Sequence, residues 1–180
     1  MPSKMRWTIL DLDSGARRGL SVRAAAAVRD GTEEVGLVAE VSWQELTNSE
    51  CFGLLASQHL GRLVLVDDRG PIAFPVNFVL DRHTVVFRSG QGTKLDVADH
   101  CASVAFEVDG ADEATRTGWS VLVRGEATEI TDPDDLARVR QLHLYPWAPG
   151  AKTHYIRIRP SVLTGRRIAV PRDTPWQWWG

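Results

Sequence analysis

The sequence predicts a mainly β fold: a small closed antiparallel barrel with a few helices at its rim. Three observations carry this. Short runs rich in β-branched and aromatic residues recur from residue 62 to residue 159. Compact turn signals, Asp67-Asp68-Arg69-Gly70 and Asp81-Arg82-His83, join successive runs into hairpins. Helical patterns are few and short, so strands do not alternate with long helices as a doubly wound parallel sheet requires.

Residues 1–41 read as an N-terminal extension, partly ordered or disordered. They carry Arg17-Arg18, the run Ala24 to Ala27, and Asp30-Gly31 before Glu33-Glu34, with no clear period. A weak helix is expected near 21–29. The domain proper is set at 42–170. Thr47 and Glu50 fit a capping box, in which each side chain satisfies a free backbone N–H at the helix start. Cys51, Leu54 and Leu55 share one face of that helix, which is expected to end near Gly61.

Strands are then predicted at 62–66, 71–80 and 84–88. Thr93 caps a short helix over 94–100. A strand at 102–109, a polar loop at 110–117 and a long strand at 118–130 follow, the last with a bend or bulge at Gly125. Asp132-Pro133-Asp134-Asp135 starts a helix running to about 142, with acids on the positive end of its dipole. Residues 155–159 form the last clear strand, and 163–170 can add another. Residues 171–180 form a Trp-rich tail.

Composition bounds the function. The 180 residues suffice for one domain with a sizeable core. A net charge of −2 argues against a dedicated nucleic-acid binder. No apolar run approaches the ~20 residues of a membrane span, and charges interrupt any signal-peptide core, so the expected location is cytoplasmic. Cys51 and Cys101 lack CxxC spacing and a His cluster, which reads as two small buried thiols.

The stretch from Pro71 to Lys94 carries the chemistry. Arg88, Ser89, Thr93 and Lys94 gather where a strand ends and a Gly-rich turn leads into a helix. Arg88 offers a planar fork, Lys94 a point charge, Ser89 and Thr93 hydroxyls. Backbone N–H groups around Gly92 lie at a helix start, where the dipole favours an anion. A phosphate suits this set. The competing reading is a capped helix with solvated basic residues. Neither a Walker A loop nor the GxGxxG fingerprint is present.

Several blocks in order make the chain resemble the pyridoxamine 5′-phosphate oxidase-like family of flavin-binding split β-barrels. They are Leu46-Thr47 with Glu50-Cys51, Gly61-Arg62-Leu63, Pro75-Val76-Asn77-Phe78, Phe87-Arg88-Ser89 with Gly92-Thr93-Lys94, the run from Val104 to Asp109, Gly118-Trp119-Ser120-Val121 with Arg124-Gly125, and Thr164-Gly165-Arg166-Arg167. The resemblance spans roughly residues 46–168. It implies an antiparallel split β-barrel and an FMN cofactor. Phe74, Pro75, Val76 and Asn77 are then expected along the isoalloxazine ring. Phe87, Arg88, Ser89, Gly92, Thr93 and Lys94 are expected at the phosphate. Trp119 and Ser120 are expected where a second subunit approaches the ring, so a homodimer is implied.

Two positions depart from the oxidase. Ser120 stands where the oxidase has Gln. Thr164-Gly165-Arg166-Arg167-Ile168 stands where it has an Arg-Leu-His type segment that grips the substrate. The expected function is an FMN-dependent oxidoreductase acting on a small organic molecule other than pyridoxamine phosphate. The alternatives are a deazaflavin-dependent reductase on the same barrel and a non-enzymatic flavin or haem carrier.

The remaining candidates divide. Pro75 would lose a ladder bond inside a central strand, which suits a strand edge facing a ligand. Asn77 needs a partner for its amide, either a flavin edge or backbone. Arg157 and Arg159 alternate with Ile156 and Ile158, so the two arginines share a face, toward solvent or a cofactor. Trp147 either plugs a barrel end or lines a pocket. Trp176, Trp178 and Trp179 are expected to be partly buried. His59, His83, His100, His143 and His154 are scattered, and none reads as a base.

Overall fold

The computed structural model describes residues 21–24, 39–92 and 103–170. The expected helix over 94–100, Cys101, the Trp-rich tail, Thr93 and Lys94 lie outside these described residues. Among them there are eight strands and two helices. The order is β1 (Ser21–Ala24), β2 (Ala39–Glu45), α1 (Asn48–Ala56), β3 (Leu60–Asp67), β4 (Gly70–Asp81), β5 (Thr84–Ser89), β6 (Ser103–Asp112), β7 (Thr117–Glu129), α2 (Pro133–Val139) and β8 (His154–Ala169).

The chain divides into two compact units. The larger holds Leu46–Asp109 and Ser120–Gly165. Its strands follow the order β8-β5-β4-β3-β6-β7, and β7 pairs back onto β8, which closes a six-stranded barrel. The pairings β3–β4, β4–β5, β3–β6 and β5–β8 are antiparallel. Leu63, Phe78, Val85, Phe87, Phe106, Val121, Val123, Ile156 and Ile158 are almost wholly buried. Phe78 and Phe106 meet edge to face with centroids 4.8 Å apart.

Turn chemistry sets the hairpins. Between β4 and β5, Asp81 pairs with Thr84, and Arg82 and His83 take φ of 49° and 66°. Two left-handed residues in a two-residue turn match the twist of the strands they join. His83 is fixed there by stacking on Phe52 of α1 at 4.5 Å.

The β7–β8 seam needs Gly125. A Cβ there would lie 1.9 Å from Arg159 O. β7 runs through Gly125 as one continuous strand. The glycine answers to the close approach of β8. Across the same seam Ser161 Oγ donates to Arg124 O at 3.1 Å.

The capping box forms as its residues require. Thr47 N donates to Glu50 Oε2 at 2.9 Å, and Glu50 N donates to Thr47 Oγ1 at 3.3 Å. α1 buries Cys51 and Leu55 and stops at Ala56, five residues before the expected end at Gly61, because β3 already starts at Leu60. Burial of Cys51 raises its thiol pKa, as an inert core thiol requires. α2 is capped by Asp132, whose Oδ1 accepts from Asp135 N at 2.9 Å. It ends at Val139 and not near 142. It packs outside the barrel, where Val139, Leu144, Ile130, Val86 and Tyr155 form a buried cluster with Leu136 and Leu142. Both faces of β5 are therefore covered, which explains its unbroken Val85-Val86-Phe87 run.

The smaller unit is described by itself. β1 pairs antiparallel with β2, and β2 pairs with β8 residues 166–169. Residues 21–24 are thus a strand, where a weak helix was expected. Arg166 lies 5.1 Å over the Trp43 ring. Asp112 accepts from the N–H groups of Ala114 and Thr115 at the β6–β7 turn. The two strands expected at 155–159 and 163–170 are one, β8, which passes straight through Pro160.

Candidate functional site

Ladder register brings Arg88 and Ser89, two of the predicted phosphate residues, to one barrel end. β5 pairs with β8 so that Arg88 faces Tyr155 and Ser89 faces His154. Arg88 Nε donates to Lys152 O at 2.8 Å, and its guanidinium lies 5.2 Å from the centre of the Tyr155 ring. Those two contacts fix the plane of the fork. Its two terminal nitrogens make no hydrogen bond to another described residue.

Beside it, the turn at 90–92 is built for close backbone approach. A Cβ on Gly90 would sit 2.8 Å from Ala151 O. Gly92 has φ of +116°, and the space a Cβ there would enter is open. Ser89 is 2% exposed and its Oγ donates to Gly90 O at 2.9 Å. Its hydroxyl therefore shapes the turn.

Two more donors sit here that the sequence reading missed. Lys152 Nζ donates to Pro149 O at 3.1 Å and lies 3.9 Å from where a Gly90 Cβ would be. His154 Nδ1 meets Glu129 Oε1 at 2.8 Å, and its Nε2 is 3.4 Å from Gln91 Nε2. Nothing in the local sequence marks either residue. Only the β5–β8 register places them next to Arg88.

The ring-lining candidates lie along β4. β4 pairs with β3 over Gly70–Asn77 and with β5 only from Phe78 onward. Phe78 N donates to His59 O at 3.1 Å. Backbone N–H groups alternate sides along a strand, so Val76 and Phe74 also point to β3. Pro75 then turns its nitrogen toward the edge that β5 leaves unpaired, and no ladder bond is lost. Val76 is buried, Phe74 half-buried and Pro75 exposed. Phe87 is fully buried and is a core residue in this chain.

Asn77 is held by backbone at both ends. Its Nδ2 donates to His59 O at 3.2 Å, and its Oδ1 accepts from Trp147 N at 2.8 Å. Trp147 is 72% exposed, so it does not plug the barrel. It lines a cavity of about 290 Å³ with His59, Asn77, Phe78, His143, Leu144 and Tyr145. Two of the scattered histidines thus meet in one cavity. Trp119 packs over Gly110 within the smaller unit, and Ser120 is an exposed residue of the larger.

Arg157 corrects the expectation for the β8 arginines. It is 7% exposed and turned to α2 and the β4–β5 turn, away from solvent. Its Nη2 reaches Asp81 Oδ2 at 3.1 Å and its Nη1 reaches Asp135 Oδ2 at 2.9 Å. Arg138 bonds the same two carboxylates. Hydrogen bonds from Arg157 and then Arg138 pull the Asp135 pKa down to about 2. Arg159 alone is exposed, and donates to Thr128 Oγ1 at 3.1 Å. Two arginines and two aspartates form one structural network.

A mainly β barrel with an oriented arginine and a glycine turn at one end is the class these observations define. Residues 47–167 match the family model described as pyridoxamine 5′-phosphate oxidase, and the chain belongs to this pyridoxamine 5′-phosphate oxidase-like family. The uncharacterized protein Rv0080 of Mycobacterium tuberculosis is 39% identical over 136 residues, covering 73% of this chain and 89% of that one. The solved FAD binding protein from Mycobacterium smegmatis is 44% identical, with a TM-score of 0.60, covering 69% of this chain and 98% of that one. A solved FAD-binding protein from Mesorhizobium loti is 23% identical with a TM-score of 0.59, covering 69% of this chain and 97% of that one, and shares the fold. The family has flavin-binding members, and the residues present here fit a flavin's phosphate: a fixed fork whose terminal nitrogens bond no other described residue, beside a turn whose glycine leaves room.

Proposed function

We propose that this protein is a flavin-dependent oxidoreductase that works as a cytoplasmic homodimer. The observation that carries the reading is Arg88: its guanidinium is oriented by Lys152 O and the Tyr155 ring, yet its terminal nitrogens bond no other described residue beside the Gly90–Gly92 turn. Arg88, with Thr93 and Lys94, holds the phosphate of the FMN moiety. Ser89 fixes the turn, and Lys152 and His154 add positive and polar character around it. The exposed edge of β4 at Pro75, with Phe74, Val76 and Asn77, faces the ring. Trp119 and Ser120 serve the second subunit's site.

The flavin supplies hydride or electron transfer, and the chain supplies binding, orientation and exclusion of water. The substrate is a small organic molecule other than pyridoxamine phosphate. Gly165 supports this departure, because α1 packs against it so closely that a Cβ would lie 2.5 Å from Cys51 Sγ. Within the segment where the oxidase carries its substrate grip, the position of Gly165 is thus taken up by packing against α1.

The test is an absorbance and mass spectrum of the purified protein and its heat-released ligand, followed by titration of FMN into the apoprotein. Arg88→Ala is expected to weaken FMN ~10–150-fold, since a charge-assisted hydrogen bond contributes ~1.5–3 kcal/mol. Equal affinity for wild type and variant refutes the phosphate assignment. A deazaflavin spectrum, at shorter wavelength than a flavin's, keeps the barrel and moves the cofactor to the alternative.

A further inference from the structure

A second cavity, of about 620 Å³, lies on the outer face of the barrel where β6, β7 and β8 run side by side. Arg124 and Glu126 are exposed and alternate with buried Val123 and Ala127 along β7, so they point outward. Arg159 and Val162 of β8 stand across from them, and β6 closes the third side. The outside of a closed barrel is convex, so a hollow there needs a cause. β8 crosses so near to β7 that a Cβ on Gly125 would lie 1.9 Å from Arg159 O and 3.2 Å from Pro160 Cα. Gly125 puts no side chain into that seam, and Pro160 no N–H. Ser161 Oγ donates to the Arg124 carbonyl at 3.1 Å and ties the seam together. The two strands are drawn in, and the long side chains on either side stand around the dent.

The charges on the rim are not matched. Arg62, Arg138 and Arg157 each pair with carboxylates. Arg124 and Arg159 form no ion pair among the described residues, although Glu126 lines the same cavity. Arg159 Nη1 donates to Thr128 Oγ1 at 3.1 Å, a neutral acceptor that orients the guanidinium without cancelling its charge. Two arginines and one glutamate leave one excess positive charge in the hollow. A guanidinium matches an oxyanion with two parallel N–H donors, and its weak hydration makes it easy to desolvate. One excess charge suits a single oxyanion, and not the phosphate backbone of a nucleic acid. Pro160 and Val162, the latter 45% exposed, offer an apolar wall to an uncharged body. The volume falls within the ~300–1,000 Å³ of small-molecule sites.

The hollow is separate from the flavin site. Arg159 lies five residues along β8 from His154, which stands beside Arg88, and at ~3.3 Å per residue that is about 17 Å. Arg88, Asn77 and the β4 edge take no part in its lining.

We infer that this hollow binds a small organic molecule carrying one oxyanion, a carboxylate or a phosphate. Arg124 and Arg159 hold the oxyanion, and Pro160 and Val162 pack against the apolar body. The site stands whether or not the flavin reading above holds.

The experiment is a titration of benzoate and of phenyl phosphate into isotope-labelled full-length protein, followed through backbone amide shifts. The double variant Arg124→Gln with Arg159→Gln is run alongside. Saturable shifts are expected at residues 103–105 and 124–126 and at Arg159, Ser161 and Val162. The double variant is expected to bind more weakly by about tenfold or more, as the loss of two charge-assisted contacts requires. Both arginines are exposed, so the variant should melt like wild type and keep its amide spectrum outside the hollow. The tighter of the two probes identifies the oxyanion as carboxylate or phosphate. Shifts confined to Gly90–Gly92 overturn the inference, because they place the oxyanion at Arg88. Absence of shifts at the hollow with both probes overturns it too. So does a double variant that sediments as a smaller species than wild type, because a second copy of the chain then covers this face.

Discussion

Replacing Arg157 with methionine tests whether the network beneath α2 holds the barrel together. Arg157 and Asp81 are each 7% exposed. Removing one partner of a buried ion pair typically costs ~3–5 kcal/mol, because the other charge is left without compensation. Two features here reduce that figure. Arg138 still bonds both Asp81 and Asp135 after the change. Arg157 Nε is buried with no partner among the described residues, and methionine removes that orphan, worth ~1–3 kcal/mol. The methionine stem also keeps apolar packing against the α2 cluster. The net expectation is a loss of about 1–3 kcal/mol. At ~2–4 °C per kcal/mol for a chain of this size, Tm falls by roughly 2–12 °C.

The pH dependence gives an independent reading of the same network. The folded-state Asp135 pKa of about 2 lies below the ordinary value of ~3.9. A depressed carboxyl contributes stability that is full above the ordinary value and is lost as pH falls toward 2. Wild type should therefore lose stability between about pH 4 and pH 2, and Arg157→Met should lose less over that interval. Urea denaturation at pH 7 and along an acid series measures both. A variant as stable as wild type at pH 7, with an unchanged acid profile, would refute the reasoning.

Other expectations follow from particular contacts. Gly125→Ala should destabilise by ~3 kcal/mol or more, beyond ordinary overpacking, because the obstacle is the Arg159 carbonyl of the backbone. Gly53→Ala, in α1 with nothing within 4 Å of the new Cβ, should stabilise by ~0.5–1 kcal/mol; thermal melts of the pair give opposite signs if close approach is the cause. Asn77→Ala removes the bond that anchors Trp147 N–H and the one that ties the Asn77 amide to His59 O. It should speed amide exchange at Trp147 and raise Trp fluorescence mobility, while exchange in the barrel strands stays slow; unchanged exchange at Trp147 would show that the Asn77 bond does not hold the turn.

Much of the fold was legible because its signals are local. Hairpin turns, the Thr47–Glu50 box and the Asp132-Pro133 helix start each depend on neighbours within about four positions. The rest was decided by partners distant in sequence. Gly125 carries the signature of a bend, yet it is a glycine because Arg159 O comes within reach across the β7–β8 seam. Arg157 and Arg159 share a period-two pattern, yet α2 covers one and not the other. Residues 21–24 look weakly helical in isolation and become a strand because β2 is available to pair with them.

The candidate site divides in the same way. The sequence by itself determined the mainly β class, the family, and the basic Gly-rich turn after β5, because residue type and short spacing suffice for these. Only the tertiary structure decided that Ser89 spends its hydroxyl on the turn and that Asn77 anchors Trp147. It alone set Lys152 and His154 beside Arg88 and gathered His59, His143, Tyr145 and Trp147 around one cavity. The physical reason is ladder register: pairing β5 with β8 joins residues more than sixty positions apart in the chain, and no local pattern encodes which of them will meet.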